Sequence, residues 1–111
     1  MESTGNYAIG IDVGGTKMAI GLVRNDGRLI EAANLPTESV KGQGNAVLRI
    51  RQCIKELLAS NHVDISDIRG LGVCCPGTWD LHSGVVLQPD TLPGWEKESL
   101  VGWLNSLIDL C

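Results

Sequence analysis

Two stretches near the start of the chain alternate large and small residues with a period of two. Tyr7, Ile9 and Ile11 fall on one face, with Ala8, Gly10 and Asp12 on the other. Met18, Ile20 and Leu22 repeat the pattern opposite Ala19, Gly21 and Val23. Alternation of this kind predicts β-strands over residues 7–12 and 18–23. Asn25-Asp26-Gly27 follows, a hairpin signal because these residue types tolerate positive φ. Residues 28–35 then read as a third strand that ends at Pro36. Three strands joined by short turns make an antiparallel meander.

The period then changes. After a flexible connection at 42–45, Val47, Ile50, Ile54, Leu57 and Leu58 share one helical face. Arg49, Arg51, Gln52, Lys55 and Glu56 lie mostly opposite, and Ser60-Asn61 fits the helix end. Residues 68–75 read as a fourth strand, and the long crossover before it permits parallel pairing with a neighbour. Pro76-Gly77 breaks that strand, 80–84 reads as the tip of a small hairpin, and Val85-Val86-Leu87 follows. A loop rich in Pro and Gly leads to Ser99, which fits an N-cap. Beyond it Leu100, Trp103, Leu104, Leu107 and Ile108 recur at helical spacing. No repeat or internal boundary divides the chain. The apolar face of this last helix, with no strand after it, leads us to expect further protein beyond Cys111.

Composition narrows the class. The 111 residues, 43% of them apolar, suit one domain with its own core. Three Trp, one Tyr and no Phe leave the interior to aliphatic side chains and alanine. The net charge is −4 and the nine Lys and Arg are scattered, which argues against nucleic acid as a partner. No apolar run approaches the roughly 20 residues that span a bilayer, and the N-terminus lacks the pattern of an export signal. A cytoplasmic protein without a membrane partner is therefore expected. Cys53, Cys74, Cys75 and Cys111 have no CxxC spacing and no His at ligand spacing, so they are read as reduced thiols rather than a metal site. Cys74 and Cys75 are expected to be two buried thiols on opposite strand faces.

The candidate chemistry lies in GIDVGGTKMAIG at 10–21. Two glycines in a hairpin can accept positive φ, and they present no β-carbon to a ligand. Successive backbone N–H groups there can form a nest for an anion. Thr16 adds a hydroxyl and Lys17 a cation. Asp12 would repel a phosphate directly, but it fits if Mg²⁺ and its waters sit between them. The alternative is a plain hairpin whose Asp12 and Lys17 are solvated charges. A P-loop and a dinucleotide loop are both excluded, because a strand rather than a helix follows the glycines.

A second motif, GLGVCCPGTWDLHSGVVLQPDTLPGWE at 70–96, joins IGIDVGGTK at 9–17. Together, and at this spacing, they resemble the ROK family of sugar kinases and sugar-responsive repressors; the LPGWE wording is most similar to the glucokinase group. The resemblance covers residues 7 to about 108. It implies an α/β, ribonuclease H-like lobe of the actin-like ATPase fold, with a mixed sheet that starts with the meander and is flanked by helices. It implies that Asp12, Gly14, Gly15, Thr16 and Lys17 bind the phosphates of ATP, with Asp12 also at the Mg²⁺. Gly77, Thr78, Asp90 and Thr91 are implied as sugar-binding, for a hexose or N-acetylhexosamine substrate. Thr91 stands where the family often has an asparagine.

The family's general base, its structural zinc motif and its adenosine-binding lobe do not fall within residues 1–111. Residues 1–111 are therefore expected to be one N-terminal kinase lobe, truncated and inactive alone, from a protein that is a homo-oligomer when complete. The other reading is the sensing domain of a ROK-type repressor. Its DNA-reading helices would precede the first strand, where six residues stand, so the kinase is expected. His62 reads as a surface residue, His82 as a hairpin-tip residue near the sugar loop, Asp80 as turn-shaping, and Trp95 and Trp103 as packing residues.

Overall fold

The computed structural model describes residues 5–74. Within them β1 (Tyr7–Val13), β2 (Lys17–Arg24) and β3 (Leu29–Pro36) form the meander. A short 3₁₀ turn (Ser39–Lys41), α1 (Gln43–Ser60) and a second 3₁₀ turn (Ile65–Asp67) lead to β4 (Ile68–Cys74). The sheet order is β3-β2-β1-β4. β1 pairs antiparallel with β2, and β4 pairs parallel with β1, from Ile9 opposite Leu71 to Asp12 opposite Cys74. This mixed sheet with a crossover helix is the α/β arrangement that the pattern predicts. The hairpin at 80–84, the strand after it and the helix from Ser99 lie outside the described residues.

Alternation sets which face packs. Ile9, Ile11 and Val13 of β1, with Met18, Ile20 and Leu22 of β2, are buried. α1 meets them with Ala46, Val47, Ile50, Ile54, Leu57 and Leu58. Every position assigned to the apolar helix face is buried, and each large aliphatic side chain so placed contributes about 1.5–3 kcal/mol. Cys53 joins the same face, and burial pushes its thiol above the ordinary value. It therefore packs as a small neutral hydrophobe. Cys74 is exposed, which corrects the expectation of a buried pair. It is in register with Asp12 on the face away from α1.

α1 also starts earlier than its pattern suggests. Gly44 and Asn45 are weak helix formers, yet burial of Ala46 and Val47 draws the first turn into the helix. At the other end Asn61 caps and His62 takes φ 55°. Val63 N–H bonds the Leu58 carbonyl at 2.9 Å and His62 N–H bonds that of Ala59 at 3.3 Å. This is a Schellman motif with a histidine where glycine is usual. No described helix is long and apolar enough to cross a membrane.

Candidate functional site

Because Ile11 and Val13 must face α1, Asp12 between them faces the opposite side of the sheet. It is exposed at the end of β1. It lines one end of an open groove of about 610 Å³ on that side, walled by small residues that include Gly10, Ala19, Gly21 and Gly72. The parallel register ends β1 and β4 at the same edge, so Cys74 closes the groove beside Asp12.

The turn from Gly14 to Lys17 follows directly. Gly14 N–H donates to the Lys17 carbonyl at 2.9 Å. A β-carbon on Gly14 would stand 2.8 Å from that same carbonyl oxygen, so close approach of two backbone segments is what demands glycine here. Left-handed φ is not the reason; among the described glycines that belongs to Gly5, Gly27 and Gly42. Gly15, Thr16 and Lys17 are exposed.

The carbonyls of this turn are tied down from behind. Thr37, the residue after β3, is completely buried. Its hydroxyl donates to the Gly14 carbonyl at 2.7 Å, and its N–H donates to the Thr16 carbonyl at 2.9 Å. Its own carbonyl accepts from Arg49 Nη2 at 2.5 Å. All of its polar atoms are thus satisfied, as burial requires. Arg49 Nη1 also donates to the Pro36 carbonyl, and Nε donates to Asn45 Oδ1 at 2.9 Å. A trans peptide holds its N–H opposite its C=O. With both carbonyls drawn to Thr37, the N–H groups of Gly15 and Lys17 are turned away from it. The N–H groups of Gly15 and Thr16 have no hydrogen-bond partner among the described residues.

The arrangement joins a carboxylate, a lysine ammonium, a threonine hydroxyl and amide donors unpaired among the described residues at one exposed end of the sheet. Donors of this kind suit an anion with several oxygens. No group of three or more His, Cys, Asp or Glu able to hold a metal occurs among the described residues. A cation here would thus be held by Asp12, by water and by the anion itself, which fits the preference of Mg²⁺ for few protein ligands and many oxygens.

The structure brings together Asp12, Gly14, Gly15, Thr16 and Lys17 as their spacing predicts. Gly77, Thr78, Asp90 and Thr91, with Asp80, His82, Trp95 and Trp103, lie outside the described residues. Thr37 and Arg49 escaped the sequence reading, which placed Arg49 on a solvated helix face. Their pairing depends on the β2–β3 register and on α1 docking. The local signals, a Thr just past a strand and an Asn–Arg pair at i, i+4, are too common to single them out.

The ROK family model matches residues 8–110. A glucokinase of Thermotoga maritima is 29% identical over 92 residues, covering 83% of this chain and 27% of that protein. The structure of a ROK family glucokinase from Streptomyces griseus in complex with glucose and AMPPNP superposes with a TM-score of 0.71 at 26% identity. It covers 93% of this chain, which spans 30% of it. An inorganic polyphosphate/ATP-glucomannokinase from Arthrobacter sp. strain KM gives a TM-score of 0.75 at 24% identity, over 93% of this chain and 41% of that one. The chain therefore spans less than half the length of each of these proteins.

Proposed function

The chain belongs to the ROK family, and from that premise we propose that residues 1–111 form the phosphate-binding N-terminal lobe of an ATP-dependent, glucokinase-like sugar kinase. One observation carries the reading. Asp12 stands exposed at the end of β1 beside a turn whose Gly14 and Thr16 carbonyls are held by Thr37 and whose Gly15 and Thr16 N–H groups are unpaired among the described residues. A plain hairpin has no need of such a brace.

In this reading Gly14, Gly15, Thr16 and Lys17 would receive the terminal phosphates of ATP, and Asp12 would help to hold the nucleotide's Mg²⁺. Mg²⁺, when bound, offsets negative charge that builds up on the phosphoryl oxygens. Phosphoryl transfer is mostly a matter of positioning and charge stabilisation, which these residues supply on one side only. The base that takes the sugar proton belongs to the rest of the protein. Sugar contacts would fall to Gly77, Thr78, Asp90 and Thr91, which follow Cys74 in the sequence. The glucose and AMPPNP of the Streptomyces structure and the glucokinase activity named for the Thermotoga relative support a hexose and an ATP-type donor. The complete protein would be cytoplasmic and homo-oligomeric.

Calorimetric titration of the chain with Mg·AMPPNP tests this. Binding should require Mg²⁺ and weaken at least tenfold in Asp12→Ala. Hexose-dependent ADP release by the isolated chain should stay far below the usual enzyme scale of about 1–10³ s⁻¹. Sugar binding with no response to nucleotide would favour the repressor-type sensing domain instead.

A further inference from the structure

We propose that Thr37 and Arg49 are positioning residues for the phosphate turn, coupling its geometry to the seat of α1. The inference rests on the phosphate-binding reading of residues 12–17 and extends it to two residues that touch no ligand in that reading.

Three observations converge. Thr37 is a fully buried polar residue whose hydroxyl and N–H both bond backbone carbonyls and whose own carbonyl accepts from the Arg49 guanidinium. Two of those bonds end on the carbonyls of Gly14 and Thr16, which flank the turn's apex. Because each peptide is planar and trans, fixing a carbonyl fixes the N–H on its far side. The Thr37 contacts therefore set the direction of the Gly15 and Lys17 N–H groups. Arg49 supplies the second tier. Its guanidinium spans the Pro36 and Thr37 carbonyls and Asn45 Oδ1 in the first turns of α1, as its rigid fork of donors allows. A shift of α1 along the sheet would thus be transmitted through Arg49 and Thr37 to the amide donors. Lysine at 49 has a single ammonium and cannot reproduce the span.

The test uses the ¹⁵N-labelled 111-residue chain titrated with Mg²⁺ and inorganic tripolyphosphate, a probe that needs no adenosine lobe. Backbone amide shifts of Gly15 and Thr16 report binding, at a temperature where circular dichroism shows every variant folded. Thr37→Val keeps shape and the backbone N–H but loses the hydroxyl; it should bind about tenfold more weakly, as expected for one lost buried hydrogen bond. Thr37→Ser should restore binding to within about twofold. Arg49→Lys should fall between them. A purely structural role would lower the melting temperature of Thr37→Val and leave its affinity unchanged once folded; that result overturns this inference and spares the phosphate reading. If tripolyphosphate leaves Gly15 and Thr16 unmoved in the unmodified chain, the phosphate reading and this inference fall together.

Discussion

The sheet has two hairpin turns that spend their backbone groups in opposite ways. The β2–β3 turn ties up its amide donors, one of them, the Asn25 N–H, on the Asn6 carbonyl at 2.7 Å. Gly27 N–H bonds the Arg24 carbonyl at 2.9 Å, Arg24 N–H bonds the Arg28 carbonyl at 2.8 Å, and Asp26 Oδ1 accepts from Arg28 N–H at 3.0 Å. Gly27 has φ 90° and a β-carbon there would meet open space, so glycine serves local geometry. The β1–β2 turn makes one bond of its own, from Gly14 to Lys17, and otherwise depends on Thr37, more than twenty residues on. There glycine serves close approach. In the β2–β3 turn the N–H groups of Arg24, Asn25, Gly27 and Arg28 all have partners. A turn whose carbonyls are fastened from outside has amide donors left for something else.

Substituting each glycine should separate the two most sharply. Gly14→Ala drives a β-carbon against backbone and should lower stability by about 2–3 kcal/mol in urea unfolding, with phosphate binding lost. Gly27→Ala meets strain without a clash and should cost about 1 kcal/mol, with binding unchanged. Equal losses from both would erase the distinction.

Removing the outside fastening comes next. Thr37→Val leaves the Gly14 carbonyl without its partner and should cost about 1–2 kcal/mol. Asn25→Ala at the β2–β3 turn, which loses the exposed Asn25 Nδ2–Asn6 Oδ1 bond and keeps the backbone bond to Asn6, should stay within about 0.5 kcal/mol. As a control away from both turns, His62→Gly should raise stability by about 1 kcal/mol by relieving its left-handed backbone.

The smallest effect concerns pH. The hydrogen bond from Lys41 holds the Glu38 carboxyl below the ordinary value. A depressed acid contributes stability that is present above its unfolded pKa and is lost as pH falls through the folded one. Glu38 follows Thr37 directly, so Glu38→Gln should slightly flatten the acid limb of the stability curve, read by urea midpoints between pH 5 and pH 3. Asp26→Asn in the other turn serves as the comparison.

This contrast also marks what the sequence could and could not tell. Period-two alternation found β1 and β2 and, through it, the side on which Asp12 must lie. The Asn-Asp-Gly turn and the helical stripe of α1 were legible because local chemistry decides them. That Asp12, Gly14, Gly15, Thr16 and Lys17 form a hairpin bend between two strands was legible from their types and spacing. Thr37 and Arg49 were not, because their importance comes from the β2–β3 register, which pairs Lys17 with Pro36 and so sets Thr37 behind the turn. The early start of α1 was hidden for a similar reason, since Gly44 and Asn45 argue locally against the helix that core burial imposes. Cys74 was misjudged because a strand next to β1 looks interior, while the described part of its outward face is a groove.

In the proposed function the 12–17 turn, and not the 24–28 turn, holds a metal-bound polyphosphate. Paramagnetic line broadening tests it most directly, with Mn²⁺ replacing Mg²⁺ in a titration of the ¹⁵N-labelled chain with ATP. Amide signals of residues 12–17 should broaden first, those of 24–28 should stay sharp despite Asp26, and Asp12→Ala should remove the effect. Broadening centred on 24–28, or spread evenly over the exposed carboxylates and indifferent to Asp12, would contradict it.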